Sequence, residues 1–251
     1  GPPDQPVLLY LYNPTRAGQV PMDMLAGYEG FIQTDGYSGY DELGRQIGIH
    51  HVGCWAHARR MFIKVIDARK KGKKSKGGIA ETAVGYIRDL YAIEKEAQAE
   101  NLDFDQVYLL RQDRAKPILA EFKEWLVSSA GTTPPQGLLG KAIAYTLNQW
   151  DRLKRYIEDG RLRIDNNLVE NAIRPFVVGR KNWLFSGHPN GANASATLYS
   201  LIETAKANGI EPYAYLRYIF EMLPRLEGED GYKKLLPQYL DRDALKSISP
   251  Q

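Results

Sequence analysis

The stretch Gly30–Ala68, GFIQTDGYSGYDELGRQIGIHHVGCWAHARRMFIKVIDA, decides the fold class. Phe31-Ile32-Gln33-Thr34 is short, apolar and β-prone, and the turn pair Asp35-Gly36 stops it, so it predicts a strand. Tyr37 to Gln46 reads as a helix, Ile47 to Val52 as a second strand, and Cys54 to Ala68 as a second helix. Upstream, Val7-Leu8-Leu9-Tyr10-Leu11-Tyr12 is an unbroken apolar run between Pro6 and Asn13-Pro14. It predicts a further, buried strand. Arg16 to Tyr28 reads as a loop with a short helix. Strand and helix thus alternate over the first seventy residues, the mark of an α/β layer.

The middle changes character. Arg69 to Lys76, RKKGKKSK, is a basic loop containing glycine. Three long helical patterns follow, near Ile79–Asn101, Phe104–Ala130 and Leu138–Asp159. Thr132-Thr133-Pro134-Pro135 separates the second from the third. Together they predict a helical hairpin or bundle inserted in the α/β part. Further on, Ala194–Asn208 places Leu198, Leu201, Ile202 and Ala205 inward, with Gly209 as its C-cap. Pro212–Leu223 is one more helix, and the tail from Pro224 is weakly patterned and expected to dock loosely.

Composition sets bounds. The 251 residues carry a net charge of only +3, so any nucleic-acid contact must come from local clusters. One cysteine excludes an internal disulfide and points to a reducing compartment. No apolar run reaches the roughly 18 residues of a membrane span, and no signal peptide opens the sequence. The start, Gly-Pro-Pro-Asp-Gln-Pro without Met, reads as part of a longer protein.

The densest chemistry lies in Arg161–His188, RLRIDNNLVENAIRPFVVGRKNWLFSGH. Asp165 is a good N-cap, because its carboxylate accepts from the orphan N–H groups of a following helix. Leu168, Val169, Ala172, Ile173 and Phe176 recur at helical spacing and predict one apolar face. Asn166, Glu170 and Arg174 stack one turn apart on the other. Pro175 is expected to end or kink the helix. Arg180, Lys181 and Trp183 follow. From the residues alone two readings stand: a capped surface helix with a Glu170–Arg174 ion pair, or a carboxylate and basic residues suited to a metal and a phosphate backbone.

Asp35, directly after a predicted strand, sits where α/β sites gather; its bland alternative is a turn residue before glycine. Taken together, Asp35 and Glu170 suit metal-dependent phosphoryl transfer, which uses several carboxylates around two divalent ions. One acid at a strand end and one on a late helix is the arrangement of ribonuclease-H-like nucleases and transposases. Cys54-Trp55-Ala56-His57 has a ligand-like spacing, yet a structural zinc site usually wants more thiolates than one. The preferred reading is a helix start with His57, Arg59 and Arg60 available to phosphates; the bland one is a buried Cys and Trp beside solvated arginines. Lys70, Lys71, Lys73, Lys74 and Lys76 form either a DNA-gripping loop or a solvated one.

The segments IQTDGYSGY, GCWAHARRMF, DNNLVENAIRPFVVGRKNWLFSG and LYSLIETAKANGIEPYAYLRYIFEMLP, in this order, resemble the transposases of bacterial insertion sequence 66. The resemblance spans about Tyr10 to Leu223. It implies an α/β, ribonuclease-H-like core of Asp-Asp-Glu type with a large all-helical insertion and C-terminal helices. The core would fall in residues 1–68 and 161–223, the basic loop and insertion in 69–160, and a tail in 224–251. Asp35 matches the second catalytic Asp and Glu170, in D-N-N-x-x-E-x-x-I-R-P, the catalytic Glu. Two Mg²⁺ (or Mn²⁺) ions would bind in the intact protein. DNA, at transposon ends and target, would be the partner, contacted by His57, Arg59, Arg60, Arg174, Arg180, Lys181 and Trp183, with a homo-oligomer assembled on it. A bacterial, cytoplasmic and nucleoid-associated location follows from the same resemblance. Two departures stand out: Asn171 replaces a common Arg or Lys, and nothing matches the first catalytic Asp, so a catalytically incomplete piece is expected. A non-catalytic DNA-binding or assembly module, or a ribonuclease-H-like metal-dependent nuclease, are the alternatives.

Overall fold

The computed structural model describes residues 5–70, 78–183 and 186–246. In chain order come α1 (Gln19–Met24), β1 (Gly30–Gln33), β2 (Ile49–Val52), α2 (Trp55–Lys70), α3 (Ile79–Ala99), α4 (Phe104–Leu110), a π-helical turn (Arg111–Ala115) and α5 (Lys116–Thr132). They continue with α6 (Leu138–Asn148), α7 (Trp150–Lys154), α8 (Asn167–Trp183), α9 (Pro189–Ala207), α10 (Pro212–Met222), α11 (Gly228–Lys233) and α12 (Arg242–Lys246). The described residues are therefore mostly helical, and their one sheet is the pair β1–β2. Two compact units divide the chain: Arg16–Leu168, and Gly1–Thr15 with Val169–Gln251.

In the Arg16–Leu168 unit the strands run parallel, in register from Gly30 opposite Ile49 to Gln33 opposite Val52. The Gly30 N–H to Gly48 carbonyl bond (2.8 Å) and the Thr34 N–H to Val52 carbonyl bond (3.1 Å) close the ladder at its ends. The crossover is not the helix expected over Tyr37–Gln46. It holds two short 3₁₀ turns, Ser38–Tyr40 and Leu43–Arg45, of which only Leu43 is buried. Gly39 and Gly44 weaken a helix here, and too few apolar residues face inward to offset them.

The predicted helical segments form, and they share one core with β2 and α2. Trp55, fully buried at the start of α2, lies 6.0 Å from Phe122 of α5 and 5.8 Å from Trp150 of α7. Its indole N–H donates to the Leu153 carbonyl at 2.9 Å, so the buried ring leaves no polar atom unpaired. Ala83, Ile87 and Leu90 of α3 and Leu119, Phe122 and Leu126 of α5 complete the stripes.

The Gly1–Thr15 and Val169–Gln251 unit corrects several expectations. Residues 7–12 join no sheet. The N–H groups of Leu8 and Tyr10 donate instead to Thr204 Oγ1 (3.0 Å) and Ser200 Oγ (2.8 Å) of α9. An extended apolar run needs a strand beside it to become a ladder, and here helix hydroxyls satisfy its backbone. Leu168, Val169 and Ile173 are exposed, as is Leu198 of α9, whereas Ala172 and Phe176 are half-buried. Phe176 packs against Tyr10 and Tyr199, with ring centroids at 6.2 and 5.2 Å. Pro175 does not end the helix, which runs on to Trp183. The Tyr10 hydroxyl donates to the Ala172 carbonyl, a polar contact in the turn that the proline weakens. Gly209 caps α9 with φ 70°, as expected. The tail docks more firmly than its pattern suggests: Leu235 and Leu240 are buried with Tyr215 and Ile219, and the Tyr215 hydroxyl donates to the Leu235 carbonyl at 2.9 Å.

Candidate functional site

Asp35 lies two residues past the end of β1 and is half-buried. Its carboxylate accepts the Tyr37 N–H at 3.0 Å, which closes a local turn and fixes the side chain. The residue before it, Thr34, donates to the Asp35 carbonyl at 2.8 Å and meets His51 Nε2 of β2 at 2.6 Å. Burial, and then the Arg152 charge, lower the His51 pKa to about 4, so the ring is neutral. Tyr40, in the following turn, has its pKa raised by burial and then by the Asp35 charge.

Gly36 is not in the left-handed region. What requires glycine there is space, since a Cβ would lie 2.3 Å from the Tyr145 hydroxyl of α6. The sequence-level reason, turning freedom and ligand approach, is thus replaced by a close neighbour from the helical segment.

The chain returns toward α8 through residues 159–166, which are held on several sides. Gln33 Nε2 of β1 donates to the Gly53 carbonyl (3.0 Å) and the Arg163 carbonyl (2.8 Å). The Trp55 N–H reaches the Ile164 carbonyl at 3.1 Å, and the Asn166 N–H reaches Cys54 Sγ at 3.3 Å. Burial raises the Cys54 pKa, which keeps it a thiol. Arg111, 2% exposed, spends all five of its donors here. They go to Glu94 (2.8 and 2.6 Å) and, at 2.9 Å each, to the carbonyls of Tyr156, Asp159 and Leu162. Asp165 stands two residues before α8, so the N-cap position falls to Asn166; its carboxylate accepts the Asn167 N–H (3.0 Å) at the first residue of the helix and also the Tyr91 hydroxyl (2.7 Å) of α3.

Glu170 falls in the first turn of α8 and is half-buried. Arg174, Arg59 and Arg60 are exposed, and His57 is half-buried with Nε2 3.2 Å from Arg60 Nη1. The side chains of Arg180, Lys181, Trp183 and Lys70, and residues 71–77 with the remaining loop lysines, lie outside the described residues. In kind, the carboxylate oxygens of Asp35 and Glu170 suit Mg²⁺. In number they fall short, since no group of three or more His, Cys, Asp or Glu among the described residues could hold a metal ion.

A family model described as "Transposase IS66 family" matches residues 1–194, and one for the IS66 C-terminal element matches 200–238. The chain belongs to the IS66 transposase family. It is 31% identical over 221 residues to the uncharacterized protein y4hP of Sinorhizobium fredii, covering 84% of this chain and 40% of that protein. To y4jD of the same organism it is 32% identical over 227 residues, covering 88% and 43%. For y4qI the figures are 30% over 250 residues, 96% and 44%. The chain thus spans about two fifths of the length of these curated relatives. No solved structure matches it. Among the described residues of this IS66 family member, no helix is long and apolar enough to cross a membrane.

Sequence reading missed Gln33, Tyr91, Arg111 and Tyr145. Each sits within a helix or strand pattern where a polar or aromatic residue passes for packing or surface. Only the glycine after Asp35 carried a hint, and it pointed to a neighbour without naming it.

Proposed function

We propose that this chain is part of a DNA transposase of Asp-Asp-Glu type, in which Asp35 and Glu170 are two of three carboxylates that bind two Mg²⁺ or Mn²⁺ ions. The observation that carries the reading is the IS66 family match across residues 1–194, which contains both acids in their motifs. The parallel pair β1–β2 with Asp35 beyond its carboxyl end supports a ribonuclease-H-like core. Divalent ions, held by Asp35, Glu170 and a third carboxylate, would supply activation of the attacking oxygen and offset phosphate charge. The chain's own part is to orient. Asp35 is fixed by the Tyr37 N–H, and Glu170 rides on a helix at whose start Asp165 accepts the Asn167 N–H. The exposed Arg59, Arg60 and Arg174 supply cations for the DNA backbone. First cleavage at the transposon end and then joining to target DNA are in-line phosphoryl transfers, which rest on positioning and charge neutralisation.

The test is metal-dependent cleavage and joining of a labelled transposon end by the full-length protein, with Asp35→Asn and Glu170→Gln beside it. Loss of both activities with retained DNA binding is the expected result. Normal joining by either variant overturns the assignment. Cleavage without joining in the unaltered protein indicates a nuclease, and DNA binding without either step a non-catalytic assembly module.

A further inference from the structure

Two tyrosines of the helical segment each hold a backbone turn of the same unit. Tyr91, on α3, donates its hydroxyl to Asp165 at 2.7 Å, and Asp165 accepts the Asn167 N–H at the start of α8. Tyr145, on α6, fills the space beside Gly36, the residue after Asp35. The contacts differ in kind: one is a hydrogen bond to a carboxylate, the other a steric stop against the backbone. Each is made by a half-buried side chain on a helix anchored in the core, where Ile87 and Leu90 of α3 and Ala142 and Ile143 of α6 are buried. A rigid helix is a more precise support than a loop. Tyr91 is pushed to a higher pKa by burial and then by its bond to Asp165, and Tyr145 by burial, with the Asp35 charge contributing, so both stay protonated.

We propose that Tyr91 and Tyr145 are positioning residues through which the helical segment holds two backbone turns of its own unit, the one after β1 at Asp35-Gly36 and the one at Asp165 that leads into α8. The inference rests on the transposase reading for its consequence in activity, but not for its consequence in structure.

Amide exchange of the 251-residue chain tests the structural part directly. Tyr91→Phe should speed exchange in residues 163–171 about tenfold, a fraying of the α8 start, with the rest of α3 unchanged. Tyr145→Ala should speed exchange in residues 34–40 by a similar factor. Should Tyr145→Ala fail to fold by circular dichroism, Tyr145→Phe carries that arm with a smaller expected change. Tyr86→Phe, which removes an exposed hydroxyl bonded to Glu121, is the control and should alter neither region. In the full-length protein, Tyr91→Phe should slow strand joining about tenfold while leaving DNA affinity within twofold. Unchanged exchange in both regions overturns the proposal, as does joining at the unaltered rate. An Asp35→Asn variant that still joins DNA overturns the transposase reading instead, and the exchange results then decide the positioning role alone.

Discussion

The hydroxyl of Tyr145 stands where a β-carbon on residue 36 would have to go: a Cβ built at Gly36 would lie 2.3 Å from it. Because Gly36 has no positive φ, replacing it meets a packing obstacle only. Gly36→Ala should therefore destabilise the chain by about 1–3 kcal/mol, the usual range for overpacking. Most of that loss should vanish in a Tyr145→Ala background, giving a coupling of about 1 kcal/mol or more in a double-mutant cycle read by urea denaturation.

Asp35→Asn and Glu170→Gln keep shape and remove charge. In the full-length protein each should lower strand joining by about 10²–10³-fold or more, the scale of losing a stabilising group at the reacting centre. DNA retention measured by filter binding should change little, because the exposed arginines remain.

Arg111 is the buried charge on which the return segment depends. Glu94→Ala would leave its guanidinium with carbonyl partners but no counter-charge. The expected loss is about 3 kcal/mol in chemical denaturation, near the lower end for breaking a buried pair because Glu94 is 19% exposed. Trp55→Ala, which empties the centre of the same core, should cost about 3–5 kcal/mol.

His51 makes stability depend on pH. Its folded pKa, about 4, lies below the ordinary value of 6.5, with burial as the main cause, Arg152 and Arg155 acting in the same direction and Asp41 against it. Between those values the unfolded chain binds more protons than the folded one, so stability rises with pH across this window. It is lost as pH falls from about 6.5 toward 4, by up to about 3 kcal/mol. Tryptophan fluorescence in urea at several pH values should show that slope, and His51→Asn should flatten it.

The parts of this chain that were legible from sequence are those set by local chemistry. The stop of β1 before Asp35-Gly36, the Asp165 carboxylate that accepts an N–H at the start of α8 and the left-handed Gly209 all follow from neighbours a few residues away. What was not legible depends on distant partners. Residues 7–12 have a strand's composition, but the hydroxyls of Ser200 and Thr204 take their backbone donors. Pro175 should break a helix, yet α8 continues past it. The apolar stripe expected of Leu168, Val169 and Ile173 is exposed, because periodicity shows which residues share a face and not whether anything covers it. In the candidate site the two proposed acids rest on motif and family resemblance. Their supports, Gln33, Tyr91 and Tyr145, act across 20 or more residues, beyond the reach of motif reading.

The wide turn at Arg111–Ala115 resets the phase of the helix on either side of it. Inward positions here fall at Val107, Arg111, Ala115 and Leu119, each four residues after the last. On a regular helix a step of four overshoots a full turn by about 40°, so three such steps would carry Leu119 about 120° away from Val107. The π turn, with more residues per revolution, absorbs that drift and keeps one side chain in each turn pointing inward. Arg111 can thus aim at the return segment while Leu119 and Phe122 still face the core. The run of fours in burial marks where the helix loosens its winding to serve two neighbours at once.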